Sequence, residues 1–422
     1  MAAAPSHQNA PTSAPAPPTG HTPSPASARA LVLVLSALTA VAPLATDMYV
    51  PGFPALGRTL HAGSSAVQLT MTAFLAGLVI GQLVFGPISD GIGRRRLLIG
   101  GTAGFTVFSL ASAIAPNIAA LTATRFLQGV AGAAGMVLAR AVLTDRFHGA
   151  ELPRYFAALA QIMGIAPIAA PVLGGLVLSI STWRAVFVVL AALGIVLLLG
   201  VLRAVPESLP PERRHGGGIG STFRAMGSLV RFRAFMGYVL TLGFAAAALF
   251  SYIAGSSFVF EDIHGVSASV YSLIFATNAV GMLVGGFCFS RLAHRVRLNK
   301  LLTAGVVIAT IGTSAQVALR LLVGETLAWT WITLFVSIGA IGLIFPSTMS
   351  IGQGLGRRAP GAASALLGGF QFLLGALASP LVGVFGTTSS LPMAAIMLIS
   401  MACACLALFG LARPWEGNGE PE

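Results

Sequence analysis

Charge is what this 422-residue chain has least of. Only 9% of its residues are charged, against roughly 25% in an ordinary soluble domain. Among the 24 basic residues the single lysine is Lys300, preceded by Asn299. A phosphate cradle of the Gly-Lys-Ser/Thr type is therefore excluded, and with it an ATP-driven pump working by itself. Cysteine is scarce too: Cys288, Cys403 and Cys405 all lie in apolar runs with no histidine at ligand spacing. They read as small buried hydrophobes rather than a disulfide framework or a metal site. The seven histidines fall in tails, loops and run edges, and no Ser/His/Asp spacing occurs within the apolar runs. We expect no metal, no cofactor and no enzyme activity. Gly352-Gln353-Gly354-Leu355-Gly356 lacks the preceding strand that a dinucleotide fingerprint needs.

What is present is apolar: 56% of residues are hydrophobic, 50 are glycine, and the mean hydropathy is +0.87. A soluble core grows too slowly with chain length to hide so much, so the solvent for most of this chain is lipid. About 20 apolar residues cross a bilayer. Twelve such runs are readable, at 30–50, 66–88, 97–115, 118–143, 155–178, 184–203, 234–256, 269–290, 300–320, 328–350, 362–382 and 391–411. They are continuous rather than alternating, which excludes a closed β-barrel and predicts an all-α polytopic membrane protein.

The net charge of +12 would suit nucleic acid, but its placement does not. Arg94–Arg96, Arg146 and Arg154, the arginines of 203–233, Arg291–Lys300, and Arg357–Arg358 all fall on one side if twelve spans alternate. The other side carries little beyond Arg58, Arg184 and Arg320. By the positive-inside rule the rich side is cytoplasmic, as are both termini. Residues 1–28 hold seven prolines and read as a disordered tail, not a signal peptide, since no basic stretch precedes an apolar one. The run 29–203 reads as one six-helix half, 204–233 as a linker with Pro210-Pro211 and Gly216–Gly218, 234–411 as a second half, and 412–422 as a tail. At an offset of 200 residues Gly81 meets Gly281, Gly86 meets Gly286, and Arg94–Arg96 meets His294-Arg295, a weak internal repeat.

Asp47 is the one carboxylate placed inside an apolar run, bracketed by Pro43, Pro51 and Pro54. A charge there costs about 2.5–3.5 kcal/mol on insertion scales, so such groups face cavities and serve a function. An acid in apolar surroundings is a natural proton carrier; the plainer reading is a carboxylate reaching the outer interface. Arg125 lies seven residues into the fourth run, about 10 Å deep, at a depth that matches Asp47. The pair is expected to meet across the bundle, as a structural ion pair or as part of proton handling. Gly86-Pro-Ile-Ser-Asp90-Gly-Ile-Gly93-Arg94 allows a tight turn, with Asp90 able to pair with an arginine or cap a helix; the plainer reading is a turn with topology charge. Pro167, Pro171, Gly174 and Gly175 make the fifth run kinked and closely packed. Tyr49, Gln128, Gln161, Asn278 and Gln371 are polar side chains within apolar runs and are the candidates to line a cavity. The second half shows no internal carboxylate on this reading, which suggests one proton per cycle.

These features together resemble the major facilitator superfamily. Gly86 to Arg96 matches its loop motif G-x-x-x-D-x-x-G-R-[RK], and Arg125-Phe-Leu-Gln128-Gly129 its fourth-helix R-x-x-Q-G. Ala170-Pro171-Val-Leu-Gly174-Gly175 resembles the fifth-helix antiporter motif, with Ala170 where glycine is common. Thr46-Asp47-Met48-Tyr49-Val50-Pro51 resembles the first-helix signature of the Bcr/CflA drug-resistance branch, which includes bicyclomycin and chloramphenicol exporters. The resemblance covers nearly all of the chain after residue 28. It implies that Asp47 takes and releases the coupling proton, that Arg125 modulates it, and that Asp90 and Arg94 latch the cytoplasmic gate. Pro171, Gly174 and Gly175 would shape the hinge.

The expected function is therefore proton-coupled export of small amphipathic, drug-like compounds through the inner membrane by a monomer, with no nucleic-acid partner. The rivals are an exporter of a normal metabolite such as a sugar, amino acid or nucleoside, and an uptake symporter. Further off are a channel, a sensor and a membrane enzyme.

Overall fold

A computed structural model describes residues 25–147, 151–210, 212, 219–357, 359–386 and 388–419. The proline-rich stretch before residue 25 and the Gly216–Gly218 run lie outside the described residues. Among the described residues every regular element is helical. In chain order they are α1 (Pro25–Asp47), α2 (Phe53–Thr59), α3 (Ser64–Ile92), α4 (Arg94–Ala113), α5 (Ile118–Arg146), α6 (Glu151–Ile180) and α7 (Trp183–Ala204). Then follow α8 (Ile219–Val230), α9 (Arg233–Ser257), α10 (Ala268–Leu292), α11 (Leu298–Leu322), α12 (Leu327–Leu355), α13 (Pro360–Val384) and α14 (Leu391–Leu406). Among the described residues twelve stretches are long and apolar enough to cross a membrane, the first made of α1 continued by α2.

Several boundaries differ from expectation; the first span runs to Thr59 rather than 50 and the twelfth to Glu416 rather than 411. The connection 204–233 holds a helix, α8, which packs against α13. The seventh span runs to Ile263 rather than 256, because α9 continues through a π-helical turn, Phe258–Ile263, whose first three residues are buried apolar groups. That turn carries Glu261 and Asp262, so Asp47 is not the one carboxylate within a span.

Glycine sets the closest helix contacts. A Cβ on Gly129 of α5 would lie 2.1 Å from the Phe74 carbonyl oxygen of α3, and one on Gly77 of α3 would lie 2.2 Å from that of Phe126. Backbones can meet this closely only where neither side presents a side chain. The same crossing recurs between α10 and α12, where Gly285 faces the Gly339 carbonyl and Gly342 that of Met282.

The α1–α7 set and the α9–α14 set meet along α3 with α13 and α6 with α10. Their arginine-poor ends are tied together. Gln68 of α3 donates through Nε2 to the Ala254 carbonyl at 3.1 Å and accepts from the Gly383 amide at 2.7 Å. Thr72 donates to the Ala376 carbonyl at 3.0 Å. Arg58 of α2 reaches Asp262 at 3.5 Å, and the Phe53 and Phe258 rings lie 6.2 Å apart. The interior is thus closed toward the arginine-poor face.

Candidate functional site: a cavity with one acid

The site begins with the end of α1. Pro51 and Pro54 supply no backbone N–H, so the helix cannot run through them; it stops at Asp47, turns through Val50–Gly52 and restarts as α2. The break leaves carbonyls of the last turn without helical partners in the middle of a bundle. One of them, Ala45, accepts a hydrogen bond from Arg125 Nη2 at 2.9 Å. A cation at a helix C-terminus also meets the negative end of the peptide dipoles.

Arg125 is fully buried. Its Nη1 donates to Gln128 Oε1 at 2.5 Å, and Gln128 in turn donates to Ser109 at 2.7 Å. The guanidinium carbon lies 4.2 Å from the Phe74 ring centroid and 4.4 Å from that of Tyr49, both within cation–π range. The three letters of Arg125-x-x-Gln128-Gly129 therefore divide the work. Arg125 supplies the cation, Gln128 anchors it, and Gly129 permits the close approach that brings Phe74 under it. The expected meeting of Arg125 with Asp47 is corrected. The arginine docks on the α1 backbone two residues earlier, because the broken helix end offers a carbonyl there, and no ion pair within 4.0 Å joins the two side chains.

Asp47 is 4% exposed, and its Oδ1 is buried without a hydrogen-bond partner. It lines a cavity of about 220 Å³. On its side α1 contributes Pro43 and Thr46, α5 Met136, and α6 Met163 and Pro167. The facing wall is aromatic, with Phe250 and Tyr252 of α9, Phe275 of α10, Phe345 of α12 and Phe372 of α13. Asp47 is the one carboxylate on the described wall.

Of the five polar candidates, Gln371 lines this cavity. Asn278 sits behind the wall, donating to the Tyr252 hydroxyl at 3.0 Å. Tyr49 and Gln128 do not line it. Tyr49 is buried behind α1 with its hydroxyl 3.1 Å from Thr70, and Gln128 serves Arg125. Gln161 is exposed and also off the wall. The aromatic wall was missed because a phenylalanine in an apolar run looks the same whether it faces lipid, core or cavity.

The loop motif is a fastening point. Gly93 has φ 101°, a conformation that favours glycine, and it separates α3 from α4. Arg94 Nε lies 3.2 Å from Asp145 Oδ2 of α5, and its guanidinium also reaches Ser89. The backbone amides of Arg94 and Arg95 donate to the Glu207 carboxylate at 2.9 and 3.3 Å. An acid from beyond α7 thus satisfies the free N–H groups that open α4. The Asp90 side chain lies outside the described residues. Gly86 has no tight neighbour, with Val137 at 3.9 Å from a built Cβ.

The fifth-run motif presses on the site from the side. A Cβ on Gly174 would lie 1.9 Å from the Met48 carbonyl oxygen, next to Asp47. One on Gly175 would meet the Ser272 hydroxyl of α10 at 2.2 Å, so neighbouring glycines bring α6 against α1 and against the other helix set. Ala170 is fully buried, and Pro171 lies within α6 three residues before Gly174.

A bundle of twelve spans in two sets, enclosing a cavity that both sets line, is the architecture of a transporter rather than an enzyme. The model of the Major Facilitator Superfamily matches residues 35–380, and the chain belongs to that family. It is 40% identical over 400 residues to the MFS-type transporter YdgK of Bacillus subtilis (strain 168), itself uncharacterised, covering 94% of this chain and 99% of that one. It is 27% identical to a bicyclomycin resistance protein homolog of Haemophilus influenzae, over 90% of this chain and 95% of that one. It is 31% identical to the multidrug transporter MdfA of Edwardsiella piscicida, over 73% and 77%. The solved D-xylose–proton symporter shares the fold, with a TM-score of 0.73 at 14% identity over 93% of this chain and 99% of that one.

Proposed function

We propose that this chain exports small amphipathic, drug-like compounds across the cytoplasmic membrane in exchange for protons. The observation that carries the reading is Asp47, a buried carboxylate with one unpartnered oxygen on the wall of an aromatic-lined cavity. Such an acid has two ways to be satisfied, a proton or a substrate donor, and competition between them is the simplest coupling of two flows. The names of the relatives, bicyclomycin resistance protein homolog and multidrug transporter, support the substrate class.

The cycle is a rocking of halves 29–203 and 234–411, joined by 204–233, about the cavity. On this reading the arginine-rich loops, both termini and the linker lie on the cytoplasmic side, in keeping with the positive-inside rule. The described state is closed at its arginine-poor end, which on this reading is the outer one. Asp47 loses its proton as substrate enters from inside and regains one as substrate leaves outside. Arg125, held on the α1 end, sets the local field that this exchange works against. Asp90, Gly93 and Arg94 fasten the cytoplasmic gate, and Pro171, Gly174 and Gly175 keep α6 close enough to limit leak. One chain suffices for this cycle.

Growth of a drug-sensitive bacterial host on phenicols, bicyclomycin and cationic dyes tests the reading. Protection is expected with wild type and lost with Asp47→Asn at equal expression. An Asp47→Asn variant that protects as well as wild type removes the proton role. No protection by wild type, with the protein present in the membrane, moves the reading to a metabolite exporter.

A further inference from the structure

The cavity holds a second polar feature, on the wall opposite Asp47. Tyr252 of α9 lines the cavity and is 2% exposed. Its ring lies nearly parallel to that of Phe275, with centroids 5.2 Å apart and an interplanar angle of 24°. Its hydroxyl oxygen accepts a hydrogen bond from Asn278 Nδ2 at 3.0 Å. Asn278 is fully buried, and its own Oδ1 has no partner. The phenol is therefore fixed twice, by the stack and by the amide. A hydroxyl that accepts from Asn278 points its own proton away from that amide, and no acceptor meets this proton among the described residues. That leaves the phenol proton free for a partner in the cavity, beside a second orphan, Asn278 Oδ1. A helix pair under no other demand would replace both groups with apolar side chains.

We propose that Tyr252, oriented by Asn278, is a substrate-recognition residue. It donates a hydrogen bond to an uncharged oxygen acceptor of the transported compound, such as a carbonyl, nitro or ether oxygen, while Phe275 and Phe250 flank the compound's apolar body. The inference rests on the export reading above and narrows its substrate class to aromatic amphipaths that carry such an acceptor. It also divides recognition in two. Asp47 answers to protons and to substrate donors or cations; Tyr252 answers to acceptors, and does so whatever the protonation of Asp47. Asn278 acts through Tyr252 and is a positioning residue.

The test uses the purified full chain in nanodiscs and equilibrium dialysis of two labelled probes. Chloramphenicol is neutral and carries amide and nitro acceptors; tetraphenylphosphonium is an aromatic cation with none. Tyr252→Phe keeps the ring and its stack and removes one hydroxyl. It is expected to weaken chloramphenicol binding about 3- to 10-fold, the worth of one neutral hydrogen bond, and to leave tetraphenylphosphonium binding unchanged. Asn278→Leu is expected to follow in the same direction with a smaller loss. Asp47→Asn is expected to lose tetraphenylphosphonium binding. Unchanged chloramphenicol binding in Tyr252→Phe overturns the inference while the export reading stands. Equal loss of both probes also overturns it, since a structural role alone would do that. If wild type binds the cation but not chloramphenicol, the acceptor assignment is wrong and drug export is untouched. If wild type binds neither, the export reading falls and the substrate class falls with it.

Discussion

The two halves share their backbone contacts and differ in the side chains beside them. In the first, α3 and α5 cross on Gly77 and Gly129; in the second, α10 and α12 cross on Gly285 and Gly342, and a built Cβ meets a facing carbonyl oxygen at 2.1–2.2 Å in all four places. After its last span each half folds the chain back onto its arginine-rich face. Glu207 takes the opening amides of α4, and the Asn418 carbonyl accepts from Tyr238 and from Asn299, near the start of α11. Next to the first crossing lie a buried guanidinium and the cavity carboxylate. The second half instead sets Phe275 and Phe345 on the cavity wall. Close helix contact is a demand of geometry and recurs; the chemistry beside it is free to diverge, and here the first half brings the cavity its carboxylate and the second its aromatic surface.

The largest effect that would break this comparison is steric. Gly129→Val and Gly342→Val each drive a side chain into a carbonyl and are expected to cost the folded protein alike, at least the roughly 1–3 kcal/mol typical of overpacking. Monodisperse yield on size exclusion measures it, and tolerance of one but not the other would mean that the two crossings are not equivalent. The next effect separates the chemistries. Arg125→Lys keeps the charge but cannot hold Ala45, Gln128 and two ring faces with one ammonium. Efflux is expected to fall at least about tenfold, whereas Phe275→Leu, which loses an aromatic pair worth about 0.5–1.5 kcal/mol, is expected to lower substrate affinity several-fold with exchange retained. If Phe275→Leu abolishes exchange and Arg125→Lys spares it, the division between halves is wrong.

A smaller effect concerns the seam. Gln68→Leu removes both hydrogen bonds that one side chain makes to α9 and α13, each worth about 0.5–1.5 kcal/mol. Spin-label distances across the arginine-poor ends are expected to show a raised open population; an unchanged distribution would assign the seal to packing alone. The smallest lies at the surface of the second half. Burial pulls the Glu325 carboxyl up, but the Ser390 amide and hydroxyl and Arg320 outweigh it and hold the carboxyl below its ordinary value. A depressed acid stabilises above its unfolded value of about 4.3 and loses that contribution as the pH falls through the folded value. Glu325→Gln is therefore expected to lower the melting temperature slightly at neutral pH, and the gap to wild type to close in acid. A gap that persists in acid would trace it to lost hydrogen bonds rather than charge.

Much of the fold was legible in the chain itself, and for a physical reason: lipid hydrogen-bonds to nothing, so each span must be a continuous apolar helix, and twelve such runs can be counted. Arginine placement likewise marks one face. Asp47 and Arg125 stood out because charge in an apolar run is costly and therefore rare. What tertiary structure alone decided is who meets whom. Arg125 found a carbonyl at a broken helix end rather than the carboxylate at equal depth, since depth is one coordinate and contact needs three. Tyr49 and Gln128 are polar, yet they pack behind the wall, while Phe275 and Tyr252 came to line it. An aromatic residue in an apolar run carries no mark of the surface it faces; helix rotation and the neighbouring half determine that. Glu261 shows the remaining gap, for a helix is ended by its hydrogen bonds and packing, and composition records neither.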